Sequence, residues 1–121
     1  MEIRKFEKNG HLYEFINNTW ETYNAWGHET TLFIDNIEKA HNKIRYYNRT
    51  WEVYRYQSCM IGCIRQLLKQ KEEMFILSFK LANNIKRLTT QKRDDALNEL
   101  LKFQDYKELK DVLEELKNNI Q

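Results

Sequence analysis

Residues 28–47, HETTLFIDNIEKAHNKIRYY, decide the fold of this chain, because two strand-like runs flank the pair Asp35–Asn36. Asp and Asn tolerate the positive φ angles of a tight turn, so the pair predicts a two-residue turn between strands at 28–34 and 37–47. Side chains alternate across a strand. One face of the second strand therefore holds Ala40, Asn42, Ile44 and Tyr46, and the other holds His41, Lys43, Arg45 and Tyr47.

A second hairpin is predicted at the start of the chain by Asn9–Gly10, the pair that most strongly indicates a two-residue turn. It joins short strands at 2–7 and 11–16. The mixed polar and aromatic residues 17–25 predict a continued or bulged strand. Trp26–Gly27 is expected to form the next turn, which completes a meander of three or four antiparallel strands.

After the fourth strand, the apolar residues recur with the period of a helix. Asn48 or Thr50 can cap this helix. Its apolar stripe continues to Leu88, which would require a helix of roughly 55 Å at about 1.5 Å per residue. That is long for a small domain, so we expect a break at Asn83–Asn84. Gly62, inside the helix, predicts a close approach between helix and sheet.

The C-terminal part of the chain predicts further helices. Thr89 or Thr90 can cap the first, and Asp105 with Glu108 resembles a capping box at the start of a helix over 105–119. That last helix has one narrow apolar stripe, formed by Leu109, Val112, Leu113 and Leu116. The stripe must pack against the body of the protein or against a partner, and a homodimer through it is one expectation.

The sequence therefore predicts a single α+β domain over residues 1–121, with an antiparallel meander in 1–47, a long helix in 48–88 and one or two further helices in 89–121. Three Trp, seven Tyr and six Phe supply large side chains for its core. No run is apolar enough for a signal peptide or a membrane span. We therefore expect a cytoplasmic protein with no membrane partner.

Few residues indicate chemistry. Cys59 and Cys63 lie four residues apart in a helical pattern, but His11, His28 and His41 are scattered over separate strands. A shared metal ion would need two further ligands, so buried reduced thiols are the commoner interpretation. No orienting carboxylate for a cysteine nucleophile and no glycine-rich phosphate loop can be identified. We expect no enzymatic activity, no metal and no cofactor.

The segment 43–56, KIRYYNRTWEVYRY, interleaves cations with aromatic side chains. Such a mixture can neutralise phosphates and stack on bases, and it is also typical of protein-binding hot spots. A third alternative is packing at the corner between sheet and helix. The predicted partner-binding residues are Arg45, Tyr47, Arg49, Trp51, Tyr54, Arg55 and Tyr56.

Charge is distributed unevenly along the chain. Residues 1–93 hold 16 Lys and Arg against 10 Asp and Glu, whereas residues 94–121 hold 4 against 8. The acidic C-terminal part can mimic a run of phosphates and occupy a basic groove on a nucleic-acid enzyme. Its pattern is equally that of an ordinary solvated helix.

Residues 28–62 resemble a group of small accessory proteins carried by phages and mobile elements of low-GC Gram-positive bacteria. The resemblance lies in TLFID at 31–35, YNRTWE at 47–52 and YRYQS at 54–58. It covers the N-terminal part of the chain, and residues 82–121 have no counterpart in it. The group supplies no catalytic residues, but it implies a setting in which small proteins, anti-CRISPR proteins among them, bind a component of the host cell.

These features lead to one expectation and one alternative for function. The expectation is a non-enzymatic accessory protein that binds and modulates or inhibits a host protein, for example a CRISPR-Cas nuclease in host-defence evasion. The alternative is a small nucleic-acid-binding regulator that uses the basic and aromatic segment 43–69.

Overall fold

The computed structural model describes residues 1–46 and 56–118. Its elements, in chain order, are β1 (Glu2–Lys8), β2 (His11–Glu21), β3 (Trp26–Ile34), β4 (Ile37–Tyr46), α1 (Gln57–Ala82), α2 (Thr90–Leu100) and α3 (Gln104–Asn118). The strands form one antiparallel sheet in the order β1-β2-β3-β4. The predicted α+β fold is confirmed, with a four-stranded meander followed by three helices.

Both predicted hairpin turns are confirmed by their backbone angles. Asn9 and Gly10 have φ angles of 51° and 81°, and Asp35 and Asn36 have φ angles of 51° and 66°. Positive φ at both central residues defines the type I′ turn, whose twist matches that of the flanking strands. The local chemistry of these two pairs therefore sets the register of β1 with β2 and of β3 with β4.

The predicted turn at Trp26–Gly27 is wrong, because both residues lie in β3. The chain turns earlier, where the Thr22 amide donates to the Ala25 carbonyl over 2.7 Å. Gly27 is required by packing within the sheet, since a Cβ at this position would lie 1.8 Å from the carbonyl oxygen of Ile44. The segment before the turn continues β2 as far as Glu21, as the sequence predicted.

The predicted alternation of faces in β4 is confirmed for the described residues. Ala40 is buried and Asn42 is partly buried, whereas Lys43 and Arg45 are exposed on the opposite face. The pairing of β3 with β4 shifts by one residue between Leu32 and Phe33. This irregularity restores the alternation that places Ala40 against the core.

The helix boundaries follow the predicted signals at two of four places. α1 ends at Ala82, and Asn84 adopts a left-handed φ of 53°, so the predicted break at Asn83–Asn84 is confirmed. Thr89 caps α2, since its hydroxyl accepts from the Lys92 amide over 3.3 Å. α1 begins at Gln57, and the cap residues predicted at 48 and 50 lie outside the described residues.

The predicted capping box of the last helix is wrong. α3 begins at Gln104, so Asp105 lies within its first turn. The Glu108 carboxylate turns away from the helix start and accepts a hydrogen bond from the Tyr13 hydroxyl over 2.5 Å. Because the Glu108 side chain binds Tyr13 of the sheet, it does not bind the backbone at the start of α3.

The core lies between one face of the sheet and the helices. α1 packs across β3 and β4, and α3 packs beside α1. The largest buried side chains include Tyr13, Phe15 and Leu32 from the sheet and Met60 and Ile64 from α1.

The apolar stripe of α3 belongs to this core, and its members Leu109, Val112, Leu113 and Leu116 are at most 7% exposed. The stripe therefore packs on the body of the protein. Of the two predicted alternatives, the structure shows the contact with the body, and a homodimer through the stripe stays a prediction.

The predicted close approach at Gly62 is confirmed. A Cβ on Gly62 would lie 2.0 Å from Nδ2 of Asn42, which points from β4 toward α1. The same Nδ2 donates to the carbonyl of Cys59 over 3.1 Å. The absence of a side chain at Gly62 thus lets a strand side chain bind the helix backbone.

Candidate functional site

The two cysteines lie in the interface between α1 and the sheet. The Cys59 thiol donates to the Asn42 carbonyl over 3.1 Å, and the Cys63 thiol donates to the Thr30 carbonyl over 3.5 Å. Burial raises the pKa of both thiols, that of Cys63 to about 12. A reactive cysteine needs a lowered pKa, so this arrangement favours a packing role. Within residues 1–46 and 56–118, no three His, Cys, Asp or Glu side chains form a metal-binding group.

The structure describes two of the seven predicted partner-binding residues, Arg45 and Tyr56. The other five, Tyr47, Arg49, Trp51, Tyr54 and Arg55, lie outside the described residues. Tyr56 is buried, and its hydroxyl lies 2.9 Å from the Thr19 hydroxyl. Tyr56 therefore packs at the corner between sheet and helix, which is one of the alternatives that the sequence left open. Arg45 is exposed on β4.

A buried histidine organises that corner. The ring of His28 lies 4.4 Å from the ring of Tyr56 and 4.9 Å from that of Tyr46, measured between centroids, with Trp26 at 5.8 Å. Nδ1 of His28 accepts from the Tyr56 amide over 3.3 Å, at the residue where α1 is about to begin. This cluster fixes the start of α1 against the end of the sheet.

The sheet has one face that no described helix covers, and we call it the outer face. Strand pairing places Ile3, Ile16 and Thr31 side by side on it, because directly paired residues share a face. Its large apolar side chains stay outside the buried core, and all are partly or largely exposed: Ile3, Leu12, Ile16, Trp20 and Phe33. A patch of this kind on a described surface is typical of an interaction site.

Trp20 is held flat on the outer face by three contacts. Its indole nitrogen donates to the His28 carbonyl over 3.3 Å. The Lys43 ammonium lies 4.7 Å from the centroid of the Trp20 ring. Cζ2 of Trp20 would lie only 2.8 Å from a Cβ at position 27, so the ring packs on Gly27. Gly27 pairs with Arg45, so a rigid Trp and an exposed Arg lie in the same row of the sheet. These two residue types dominate protein-binding hot spots.

Sequence reasoning did not single out Trp20 as a site residue. Gly27 in a strand was the available signal, because an isolated strand glycine often marks a close approach of other atoms. It was interpreted instead as part of a turn.

The outer face carries mixed charges. Its carboxylates are Glu7, Glu14, Glu29 and Glu38, and its Lys and Arg cations are Lys5, Lys43 and Arg45. Two carboxylates have partners on the same face: Lys5 lies 3.6 Å from Glu14, and His41 lies 2.6 Å from Glu29. Among the described residues, the face has no excess of positive charge, which a surface for phosphates would need.

A second candidate is a cleft of about 480 Å³ at the end of the sheet, between the β3–β4 turn, α1 and α3. We call it the sheet-end cleft. Nδ1 of His11 lies 2.6 Å from Asp35, whose other carboxylate oxygen accepts from the Leu12 amide over 2.9 Å. Hydrogen bonding to Asp35 raises the pKa of His11, and the same bond lowers the pKa of Asp35.

The His11–Asp35 pair was missed because it depends on strand register. The two residues are 24 positions apart and meet only because β2 pairs with β3. A histidine held by a carboxylate can act as a base, but no Ser, Thr or Cys lines the described cleft to serve as a nucleophile. The geometry supports an ion pair more than a catalytic group.

Comparison with known proteins finds no matching family model, no matching curated protein and no matching solved structure. Among the residues that the structure describes, no helix is both long and apolar enough to cross a membrane.

Proposed function

We propose that this chain is a non-enzymatic protein that acts by binding another protein through the outer face of its sheet. The observation that carries the proposal is the set of five large apolar side chains on this face, one of which is the fixed indole of Trp20. An apolar centre with an aromatic anchor and an outer ring of mixed charges is the usual anatomy of a protein interface. Arg45, predicted from the sequence as a binding residue, lies at one end of this face.

A protein partner fits this face better than a nucleic acid does. Four Glu side chains oppose three Lys and Arg side chains, and Lys43 is already engaged by Trp20. Phosphate binding draws on uncompensated cations. The nucleic-acid alternative on segment 43–69 stays a prediction, because much of its basic segment lies outside the described residues.

The finer part of the proposal is the setting. The partner we propose is a protein of a bacterial host cell, met in the cytoplasm, and the chain modulates or inhibits it as a phage or mobile-element accessory protein. An inhibitor of a CRISPR-Cas nuclease is the most specific version. This part rests on the resemblance of residues 28–62 to such accessory proteins.

Outer-face variants test the proposal. The test variants are Ile3→Glu and Phe33→Glu, which place a charge in the apolar patch. Tyr23→Glu is the matched control, because Tyr23 is a fully exposed aromatic residue on the turn before β3. Each tagged protein is used to capture partners from a Gram-positive host lysate, and the captured protein is then purified for calorimetry.

The wild type and Tyr23→Glu are expected to bind one partner stoichiometrically, and each patch variant is expected to bind it at least about tenfold more weakly. Equal binding by all four proteins would remove the outer face from the proposal, and no stoichiometric partner would count against protein binding altogether. A plasmid-interference assay tests the nuclease version, which fails if the wild type gives no protection.

A further inference from the structure

α1 is longer than the sheet that it packs on. The Cys63 thiol and Leu67 face the sheet, and both are buried. Seven residues make almost two helical turns, so Met74 and Leu81 lie on the same side of α1 as Leu67. Met74, Leu77 and Leu81 are nevertheless 71%, 59% and 74% exposed. We call these three residues the distal stripe.

The distal stripe has the spacing of a helix–helix seam. Leu67, Met74 and Leu81 are separated by seven residues each, and Leu77 stands between the last two with separations of three and four. Alternating separations of three and four define the apolar positions of paired helices. This spacing favours packing of the distal stripe against another helix over packing against a sheet.

We propose that a second copy of this chain covers the distal stripe, with the two α1 helices antiparallel and a two-fold axis near Leu77. The charges beside the stripe favour this occupant. Glu73 and Lys80 are seven residues apart, so they occupy equivalent flanking positions. In an antiparallel pair centred on Leu77, Lys80 of each copy lies next to Glu73 of the other, which gives two symmetric ion pairs.

The segment from the end of α1 to the start of α2 supplies a second complementary charge for this pairing. Residues 80–93, KLANNIKRLTTQKR, contain five Lys and Arg and no carboxylate, and we call them the basic tip. No ion pair within the described residues engages these five cations. In the same pairing, Ala82 of one copy lies beside residue 72 of the other. That point is close to the sheet-end cleft, whose lining includes Met74 and Ile37.

The sheet-end cleft is an acidic counterpart for that tip. Its lining carries four carboxylates, Asp35, Glu38, Asp105 and Glu108, against Lys39 and Lys71, with His11 paired to Asp35. A nucleic acid or an anionic bilayer would engage the basic tip but would leave the acidic sheet-end cleft without a partner. One symmetric contact with a second copy covers the distal stripe and pairs Glu73 with Lys80. It also brings the basic tip of each copy near the sheet-end cleft of the other.

The first measurement is the mass of the full chain by light scattering over a range of concentrations. The wild type is expected at twice the 14.9 kDa of one chain. Leu77→Glu and Met74→Glu are each expected to weaken the dimer at least about tenfold, since they place a charge in an apolar seam. Tyr23→Glu is the control for an added surface charge and should remain dimeric. Circular dichroism confirms that each variant is folded.

Two further experiments test the geometry. Lys80→Glu alone and Glu73→Lys alone should each weaken the dimer, and the double variant should restore it. Under mild oxidation, Leu77→Cys should form a covalent dimer in high yield. Leu81→Cys should do so poorly, because its antiparallel counterpart is residue 73.

A monomeric wild type at high concentration would overturn the proposal. So would a dimer unaffected by Leu77→Glu and Met74→Glu, or a double charge variant that is weaker than both single ones. A monomer that binds duplex DNA or phosphatidylserine vesicles through the basic tip would assign the tip to those ligands instead. The apolar patch of the outer face is not used here, so partner capture by Leu77→Glu tests this inference separately from the proposed function.

Discussion

At the scale of single residues, the most informative contact is the one between Tyr13 and Glu108. Burial raises the pKa of the Tyr13 hydroxyl, so the hydroxyl keeps its proton and donates to the buried carboxylate. The bond links the middle of the sheet to α3. It also satisfies a carboxylate that would otherwise lose its hydration without a partner.

Removal of that donor should destabilise the fold. We expect Tyr13→Phe to lower the free energy of unfolding by about 1–3 kcal/mol, the cost of a buried polar group without a partner. Tyr106→Phe is the matched control, because the Tyr106 hydroxyl donates to Glu72, which is less buried than Glu108 and can be hydrated. Urea denaturation measures both, and a larger loss for Tyr106→Phe would contradict the argument.

The effect of Gly62→Ala on stability should change sign when the Asn42 side chain is removed. Within a helix, replacing glycine by alanine ordinarily raises the free energy of unfolding by about 1 kcal/mol. Here its Cβ would displace the Asn42 amide that binds the Cys59 carbonyl, so we expect Gly62→Ala to cost about 1–2 kcal/mol. In an Asn42→Ala background the same substitution should stabilise. Thermal unfolding of the four proteins checks this, and additive effects would refute the contact.

The His11–Asp35 pair predicts a pH dependence. The pKa of His11 is raised from 6.5, so its contribution is present below pH 6.5 and is lost as pH rises through the folded value. The pKa of Asp35 is lowered from 3.8, so its contribution is present above pH 3.8 and is lost as pH falls through the folded value. The pair should therefore stabilise most between about pH 4 and 6.5.

Asp35→Asn isolates this effect, since Asn tolerates the left-handed turn and can still accept from the Leu12 amide. The difference in melting temperature between wild type and variant should be largest in that window and shrink as pH rises through the folded pKa of His11. Proton NMR should show a lower pKa for His11 in the variant. A constant difference across the pH range would mean that the pair does not act by charge.

At the scale of elements, local chemistry predicted both two-residue hairpin turns, the end of α1 and the cap of α2. Asn9–Gly10, Asp35–Asn36 and Asn83–Asn84 need only their own backbone preferences, which a sequence displays. Gly27 was misread because its requirement comes from Ile44 and Trp20, which reach it from other strands. The shift at Leu32 has the same origin, since β4 must present Ala40 to α1.

The long helix shows a second limit. Its apolar residues recur from Met60 to Leu81, interrupted by the polar run 69–73 (KQKEE), and the helix itself continues through that run. Only the described structure separates the buried part from the exposed distal stripe. The spacing of apolar residues predicts which side of a helix is apolar. Which element covers that side depends on the lengths and positions of the other elements.

At the scale of the whole molecule, the acidic C-terminal part is partly used by the fold itself. Glu115 binds Lys8 over 2.6 Å, and Glu108 binds Tyr13. These contacts favour the interpretation of α3 as a structural helix over that of a phosphate mimic. The candidate site was predicted in part: Arg45 lies on the outer face, but Trp20 and the patch around it required the pairing of four strands.

The outer face and the distal stripe belong to different elements, so the two binding events should separate. Phe33→Glu should abolish partner binding and leave a dimer, whereas Leu77→Glu should leave each chain able to bind. A dimer presents two outer faces, so on a surface coated densely with partner the wild type should dissociate more slowly than Leu77→Glu. On a sparse surface the two rates should converge. Surface plasmon resonance at two coating densities measures this, and equal dissociation at both densities would show that the two sites do not act together.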